Sequence, residues 1–467
     1  MIENGALDKA LSDQRKAFEV DISPSLATRR DRLNRIGQLL KENSQALCEA
    51  VSSDFGHRSH YETTMLELVP LMGALRHTRS HLKRWMKVEP RARSIEFMLL
   101  GNYVQYQPLG VVGIMVPWNY PVFLALGPLI DVLAAGNRAI IKPSELAPAT
   151  SALLSALIGK YFSAEEVLVV EGGADVAAAF SALAFDHLIF TGSTAVGKKV
   201  MAAAAAHLTP LTLELGGKSP ALIAPDYDTN SAARDIVFGK LMNAGQTCIA
   251  PDYVLVEKSR LESLVDALVA EVQRRYPSES SAENYTSVLG ERSYARLTEV
   301  LRECESRGAR VVTADIALPK RGRSIAPTFV INPPADCTLM EEEIFGPVLP
   351  IIPYEKLDEA IVFIRARPRP LALYLFTGHR ATERSVLEKT ISGNVTVNGT
   401  LLHVAQNDLP FGGVGPSGLG AYHGHDGFKR FSHARGISKV YIFNPARLAM
   451  PPYGFMTRLL ARLMGRG

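Results

Sequence analysis

Leu33, Ile36, Leu39 and Leu40 recur at helical spacing among Arg29, Arg30, Arg32 and Arg35, and residues 25–90 read as long helices on that period. After Pro90 the pattern changes to alternation and short apolar runs. Residues 104–107 alternate like a half-buried strand, whereas 110–116 are apolar almost throughout, as in a strand covered on both faces. Further strands are predicted at 138–142, 167–171 and 187–190, separated by helix-like segments such as 149–161. Strand and helix alternating at this spacing predict a parallel sheet with helices on its faces. A second alternation begins after Glu214, with candidate strands at 221–223, 253–256, 310–312, 348–352, 373–376 and 393–398. No internal repeat relates the two halves. The expected fold class is therefore α/β, with a Rossmann-like first domain and a second, distinct α/β domain.

Two segments stand apart from this alternation. Residues 277–284 are polar and read as a loop. In the tail, Phe455, Met456, Leu459, Leu460, Leu463 and Met464 form an apolar face opposite Arg458, Arg462 and Arg466. A short amphipathic helix is expected there, docked on its own chain or on a dimer partner in preference to a membrane surface.

Composition narrows the class. The 467 residues suit two or three domains at roughly 150 residues each. A net charge of +4 without a basic stripe interleaved with aromatics gives no platform for nucleic acid. Cys48, Cys248, Cys304 and Cys337 are far apart with no CxxC pair, which argues against a zinc site or disulfide framework and fits a reducing cytosol. The N-terminus lacks the basic-then-apolar order of a signal peptide. No apolar run approaches the ~20 residues that span a bilayer, so the expected compartment is cytoplasmic.

Two clusters carry chemistry. Asn243-Ala-Gly-Gln-Thr-Cys248 sets one thiol in a polar, glycine-containing turn, and Leu213-Glu-Leu-Gly-Gly-Lys218 sets a carboxylate among apolar residues. A nucleophilic thiolate and a general base for water are the two parts of covalent acyl chemistry. The alternative for Glu214 is an ion pair with Lys218 across the turn. His423 and His425 lack a nearby third ligand and read as loop residues, with no metal.

Three glycine or turn clusters compete for a nucleotide. Gly413-Val-Gly-Pro-Ser-Gly418 matches GxGxxG, but no strand feeds it and Pro416 sits where a helix would start. Gly192-Ser-Thr-Ala-Val-Gly197-Lys-Lys199 follows a strand and opens a helix, where free N–H groups suit a pyrophosphate. It is not a Walker A loop, since Lys199 stands where a Ser or Thr must hold Mg²⁺. Lys142-Pro-Ser-Glu145 follows a strand end, placing a carboxylate where it would accept from a ribose diol or merely cap a helix.

These motifs, with Pro117-Trp-Asn-Tyr-Pro121, Phe190-Thr-Gly-Ser193 and Glu343-Ile-Phe-Gly-Pro347, stand in the order of the aldehyde dehydrogenases, which the chain resembles from about Arg29 to Lys439. Gly245-Gln-Thr-Cys-Ile-Ala-Pro-Asp-Tyr253 and Leu409-Pro-Phe-Gly-Gly-Val-Gly415 look like the class 3 branch. Asn398-Gly-Thr-Leu-Leu-His403 and Gly420-Ala-Tyr-His-Gly424 are similar to bacterial coniferyl aldehyde dehydrogenases. The resemblance implies Cys248 as nucleophile, Glu214 as deacylating base, and Asn119 as an oxyanion donor, against a plain turn-capping role for Asn119. It implies NAD, with NADP possible, held by Trp118, Lys142, Glu145, Gly192, Ser193, Gly197, Glu343 and Phe345. Tyr120 and Phe411 are candidates for a substrate funnel or for ordinary core. The implied organisation is a cofactor domain (1–84 and 107–214), a catalytic domain (215–395), a small β bridge (85–106 and 396–440) and a tail (441–467). The partners implied are a small aldehyde and a second copy in a homodimer. An acyl-transferring relative of the same fold, a P-loop NTPase and a non-catalytic scaffold are the competing readings.

Overall fold

A computed structural model describes residues 4–94, 97–98, 100–320, 322–442, 444, 446–447 and 450–465. Three sheets organise them. The six-stranded sheet runs in the order Gly418–Leu419, Leu211–Glu214, His187–Thr191, Val111–Met115, Arg138–Lys142, Val167–Val169. Its last five strands are parallel, and Gly418–Leu419 adds antiparallel to the edge at Glu214. Every residue of Val111–Met115, Arg138–Lys142 and His187–Thr191 is buried, which is why the middle of each strand reads as an apolar run.

The seven-stranded sheet runs Arg310–Thr313, Thr328–Ile331, Val348–Tyr354, Tyr253–Glu257, Pro220–Ile223, Ala372–Phe376, Asn394–Val397. Only its outer pair, Arg310–Thr313 with Thr328–Ile331, is antiparallel. The third sheet is a small antiparallel one of Glu89–Pro90, Leu100–Pro108 and Ser432–Val440, in register from Ser432 opposite Pro108 to Val440 opposite Leu100. Ser432–Val440 is largely exposed and forms its outer edge.

Helices cover the faces. Leu26–Glu42 starts where the Ser25 hydroxyl accepts the Thr28 N–H, and it buries Leu33, Ile36, Leu39 and Leu40. Pro121–Ala135 is apolar on all sides and almost wholly buried. A helix at Asn4–Val20 was not predicted, and the polar loop at 277–284 contains a single helical turn, Glu279–Ala282.

The predicted tail helix forms at Phe455–Met464, but Phe455 and Met456 stay exposed and Leu459 is 39% exposed. It does not dock these residues on its own chain, contrary to one expectation. The side chains of Leu460, Leu463 and Met464, and Arg466 altogether, lie outside the described residues.

Candidate active site

Cys248 sits after an unusual turn. Beyond the helix Thr229–Leu241, Asn243 (φ 54°), Ala244 (φ 50°) and Gly245 (φ 75°) are three successive left-handed residues. For non-glycine residues that conformation costs about 1–2 kcal/mol each, so the turn must be held from outside. The Asn243 N–H donates to Glu62 Oε1 at 2.6 Å, and Asn243 Nδ2 donates to the carbonyls of Asn119 (3.0 Å) and Gln246 (3.1 Å). Gln246 donates to the Asn243 and Ser287 carbonyls, both at 3.0 Å, and accepts the Leu289 N–H at 2.8 Å. Glycine is required at 245, because a Cβ there would lie 2.3 Å from the Gly346 carbonyl oxygen.

Cys248 follows, partly exposed. Burial pushes its thiol up to about 12; Glu343 and Glu214 act in the same direction, while its own N–H and that of Ile249 oppose them. Glu214 closes the strand Leu211–Glu214 and is 3% exposed. Both its carboxylate oxygens are buried without a hydrogen-bond partner among the described residues. Burial raises it well above the ordinary carboxylate range, opposed only by Arg430. The pair with Lys218 does not form. Lys218 Nζ instead meets Asp252 Oδ2 at 2.5 Å and the carbonyls of Leu339 and Glu342 at 2.8 Å.

Asn119 is brought to the same place. Its Nδ2 donates to the Gln246 carbonyl at 3.2 Å, so the side chain faces the turn before Cys248 and does not cap its own backbone. An amide NH₂ has two donors, which leaves a second for another acceptor. Tyr120 joins the turns directly, its hydroxyl 2.6 Å from Thr247 Oγ1. Phe411 is buried, stacked on His403 (6.0 Å between centroids) and His423 (5.3 Å), which is the core alternative for this residue. His425 stacks on Trp85, so the two histidines serve different packing contacts.

Several residues here had no signal in local spacing. Arg58 and Glu67 are fully buried, joined at 2.8 Å, and Glu67 Oε2 accepts the N–H groups of Val122 (2.8 Å) and Phe123 (2.9 Å) at the start of Pro121–Ala135. Tyr422 is buried close to Glu214 and Cys248, with its hydroxyl unpaired among the described residues.

A second cluster lies at the C-terminal ends of the six-stranded sheet. Val111–Met115 pairs with Arg138–Lys142 on one side and His187–Thr191 on the other, and strand order reverses there. Such a switch point opens a crevice for a ligand. Its rim carries Trp118, Asn119, Gly192 and Ser193. A Cβ on Gly192 would lie 2.5 Å from the Phe190 ring, so the close approach needs glycine. Ser193 caps Thr194–Ala204, accepting the Val196 N–H at 3.4 Å, and leaves that helix start facing the crevice. Lys142 Nζ meets Glu145 Oε2 at 2.9 Å, and Glu145 remains 45% exposed. Burial acts to raise Glu145, but the Lys142 hydrogen bond and charge bring it below the ordinary range. Gly197 lies on the opposite side of its helix contact, where a Cβ would meet Leu215 at 2.7 Å; it serves close helix–sheet packing.

Trp118 stands edge-on to Phe345 at 5.5 Å, and Phe345 has φ 51°. The Glu343 carboxylate lies over Gly216, where a Cβ would be 1.9 Å from Oε2, and it accepts the Gly217 N–H. Its Oε1 is buried without a partner among the described residues. Burial and Asp252 raise Glu343 to about 8, against the backbone N–H, Lys218 and Lys240. An orphaned acceptor, a glycine cradle and an uncovered helix start fit the ribose and pyrophosphate of a dinucleotide.

Comparison with known proteins identifies the family. The model of the aldehyde dehydrogenase family matches residues 2–437. A probable coniferyl aldehyde dehydrogenase of Pseudomonas aeruginosa is 47% identical over 452 residues, covering 97% of this chain and 94% of that protein. The substrate-bound AldH of Staphylococcus aureus superposes with a TM-score of 0.93 at 34% identity, covering 98% and 99% of the two chains. A Mycobacterium tuberculosis aldehyde dehydrogenase in complex with NAD⁺ gives 0.83 at 28% identity, over 95% and 91%. A thiol turn, a buried carboxylate and a dinucleotide crevice thus come together in a chain that belongs to the aldehyde dehydrogenase family and is an NAD(P)-dependent oxidoreductase.

Proposed function

We propose that the chain oxidises an aromatic aldehyde of the coniferaldehyde type, or a medium to long aliphatic one, through a thioester on Cys248. The observation that carries this reading is the partly exposed Cys248 thiol on which Glu214 acts electrostatically, Glu214 being a buried carboxylate with both oxygens unpaired among the described residues. Cys248 attacks the aldehyde carbon, and the developing oxyanion accepts hydrogen bonds from the free Asn119 amide N–H and the Cys248 N–H. A thiol held at about 12 rests protonated, so one of the two carboxylates that act on it, Glu343 or Glu214, takes its proton as attack begins and releases it to solvent before the water step. The nicotinamide, when bound, supplies the hydride acceptor that turns the adduct into a thioester. Glu214 then removes a proton from water, and Cys248 leaves as the acid forms.

Lys142 and Glu145 would hold the adenine ribose, Gly192 and Ser193 the pyrophosphate, and Glu343, Trp118 and Phe345 the nicotinamide riboside. The Glu145 charge disfavours a 2′-phosphate and so favours NAD, with NADP accepted less well. Gly197 supports the pyrophosphate site through helix packing. Tyr120 lines the substrate approach, while Phe411 backs it from the core. The first sheet and its helices (1–84 and 107–214) form the cofactor domain, 215–395 the catalytic domain, and 85–106 with 396–440 the bridge. The exposed nine-residue edge Ser432–Val440 suits pairing with a second copy in a homodimer.

The test is spectrophotometric. Protein mixed with NAD⁺ and coniferaldehyde, benzaldehyde or hexanal is expected to produce NADH that vanishes in Cys248→Ala. Activity surviving that substitution would reject Cys248 as nucleophile, and the ranking of aldehydes assigns the aromatic or aliphatic branch.

A further inference from the structure

Arg58 lies between the two turns that carry the proposed oxyanion donors. Toward the turn before Pro121–Ala135, its Nη1 donates to the Asn119 carbonyl at 3.3 Å and to Glu67 Oε1 at 2.8 Å. Glu67 in turn holds the Val122 and Phe123 N–H groups. Toward the nucleophile turn, Arg58 Nε stands 3.9 Å from Glu62 Oε2. Glu62 Oε1 takes the Asn243 N–H at 2.6 Å, and the Thr286 hydroxyl donates to its other oxygen. The rings of Tyr120 and Phe55 close over the guanidinium at 5.0 and 5.2 Å.

This arrangement is a poor device for stability alone. Arg58 Nε and Nη2 are buried without hydrogen-bond partners among the described residues, and desolvating three charges opposes much of their attraction. What the network does supply is registry between segments far apart in sequence.

We propose that Arg58, Glu62 and Glu67 form a clamp that holds the Asn119 turn and the left-handed 243–245 turn in register, so that the Asn119 amide and the Cys248 N–H converge on one oxygen. Glu62 is its positioning residue on the nucleophile side: it touches the turn through Asn243 and acts on the reacting atoms only through it. The proposal rests on the oxyanion reading above.

The experiment measures kcat and KM with NAD⁺ and benzaldehyde for Glu62→Ala, Glu62→Gln, Asn119→Ala and the double variant Glu62→Ala with Asn119→Ala. Misplacing a donor by about 1 Å is enough to lower kcat on the order of 10- to 100-fold, and that loss is expected for Glu62→Ala with KM nearly unchanged. Glu62→Gln keeps an acceptor for the Asn243 N–H and is expected to restore most of kcat. Because both changes spoil one oxyanion site, the double variant should be scarcely slower than Asn119→Ala, the non-additive result of coupled residues. Losses that multiply, or a Glu62→Ala enzyme as fast as the parent, would overturn the clamp. Should Glu62→Ala not fold, Thr286→Val, which removes only the hydroxyl holding Glu62, carries the same cycle with a smaller expected loss. If Asn119→Ala itself leaves kcat unchanged, the oxyanion reading fails, and the clamp with it; if Asn119→Ala is slow while the Glu62 and Thr286 variants are not, the clamp alone fails.

Discussion

Glu67, at the start of Pro121–Ala135, and Glu214, which acts on Cys248, are both buried carboxylates, and they are treated in opposite ways. Glu67 spends every oxygen: Arg58 on one, the N–H groups of Val122 and Phe123 on the other. Glu214 has no hydrogen bond at either oxygen among the described residues. Burial raises both, but Glu67 is opposed by a cation and two backbone donors, and Glu214 by Arg430 alone. A saturated carboxylate is a structural part. An unpaired one is free to accept a proton, as proposed for Glu214 in the water step.

The strongest way to break this comparison is Glu214→Gln. Loss of a general base typically costs about 10²- to 10⁴-fold, so steady turnover should fall by that order while one NADH per subunit still appears in a rapid burst. A variant that turns over normally would show that Glu214 is not the base. In the parent, the base form must be present, so a deacylation-limited rate should climb with pH through the raised Glu214 value, and a pH–rate profile reads that climb directly. Glu67→Ala tests the other arm. It strips Arg58 and two N–H groups of their acceptor, and breaking such a buried pair costs about 3–5 kcal/mol, read as a lower urea midpoint. Undiminished stability would mean that Glu67 is no more structural than Glu214.

A smaller effect sharpens the electrostatic side. Glu343→Gln removes a carboxylate that raises Cys248, so iodoacetamide alkylation of Cys248 should begin at lower pH than in the parent. An unshifted profile would remove Glu343 from the neighbourhood of the thiol.

Much of this was legible along the chain, for physical reasons. Strands buried on both faces announce themselves as apolar runs, and Cys248 and Glu214 stand out because thiols in polar turns and carboxylates among leucines are costly to place. The strand Thr328–Ile331 was missed, and so was Ser432–Val440, whose polar, exposed residues carry no alternation. Proximity in sequence also misled: Lys218 lies four residues from Glu214 yet reaches Asp252 instead. Gly197 completes a nucleotide-like motif but spends its missing side chain on Leu215. Arg58 and Glu62 carried no signal in the sequence pattern, because the contacts that tie them to the two turns reach Asn119 and Asn243, 61 and 181 residues away.

The antiparallel addition of Gly418–Leu419 beside Glu214 has a consequence for synthesis on the ribosome. Until that segment emerges, the edge holding Glu214 is bare, and water hydrates its carboxylate as it would on any surface. Tyr422 and Arg430 arrive later still. A chain lacking residues 418–430 therefore leaves Glu214 without the neighbours that bury it and act on its charge.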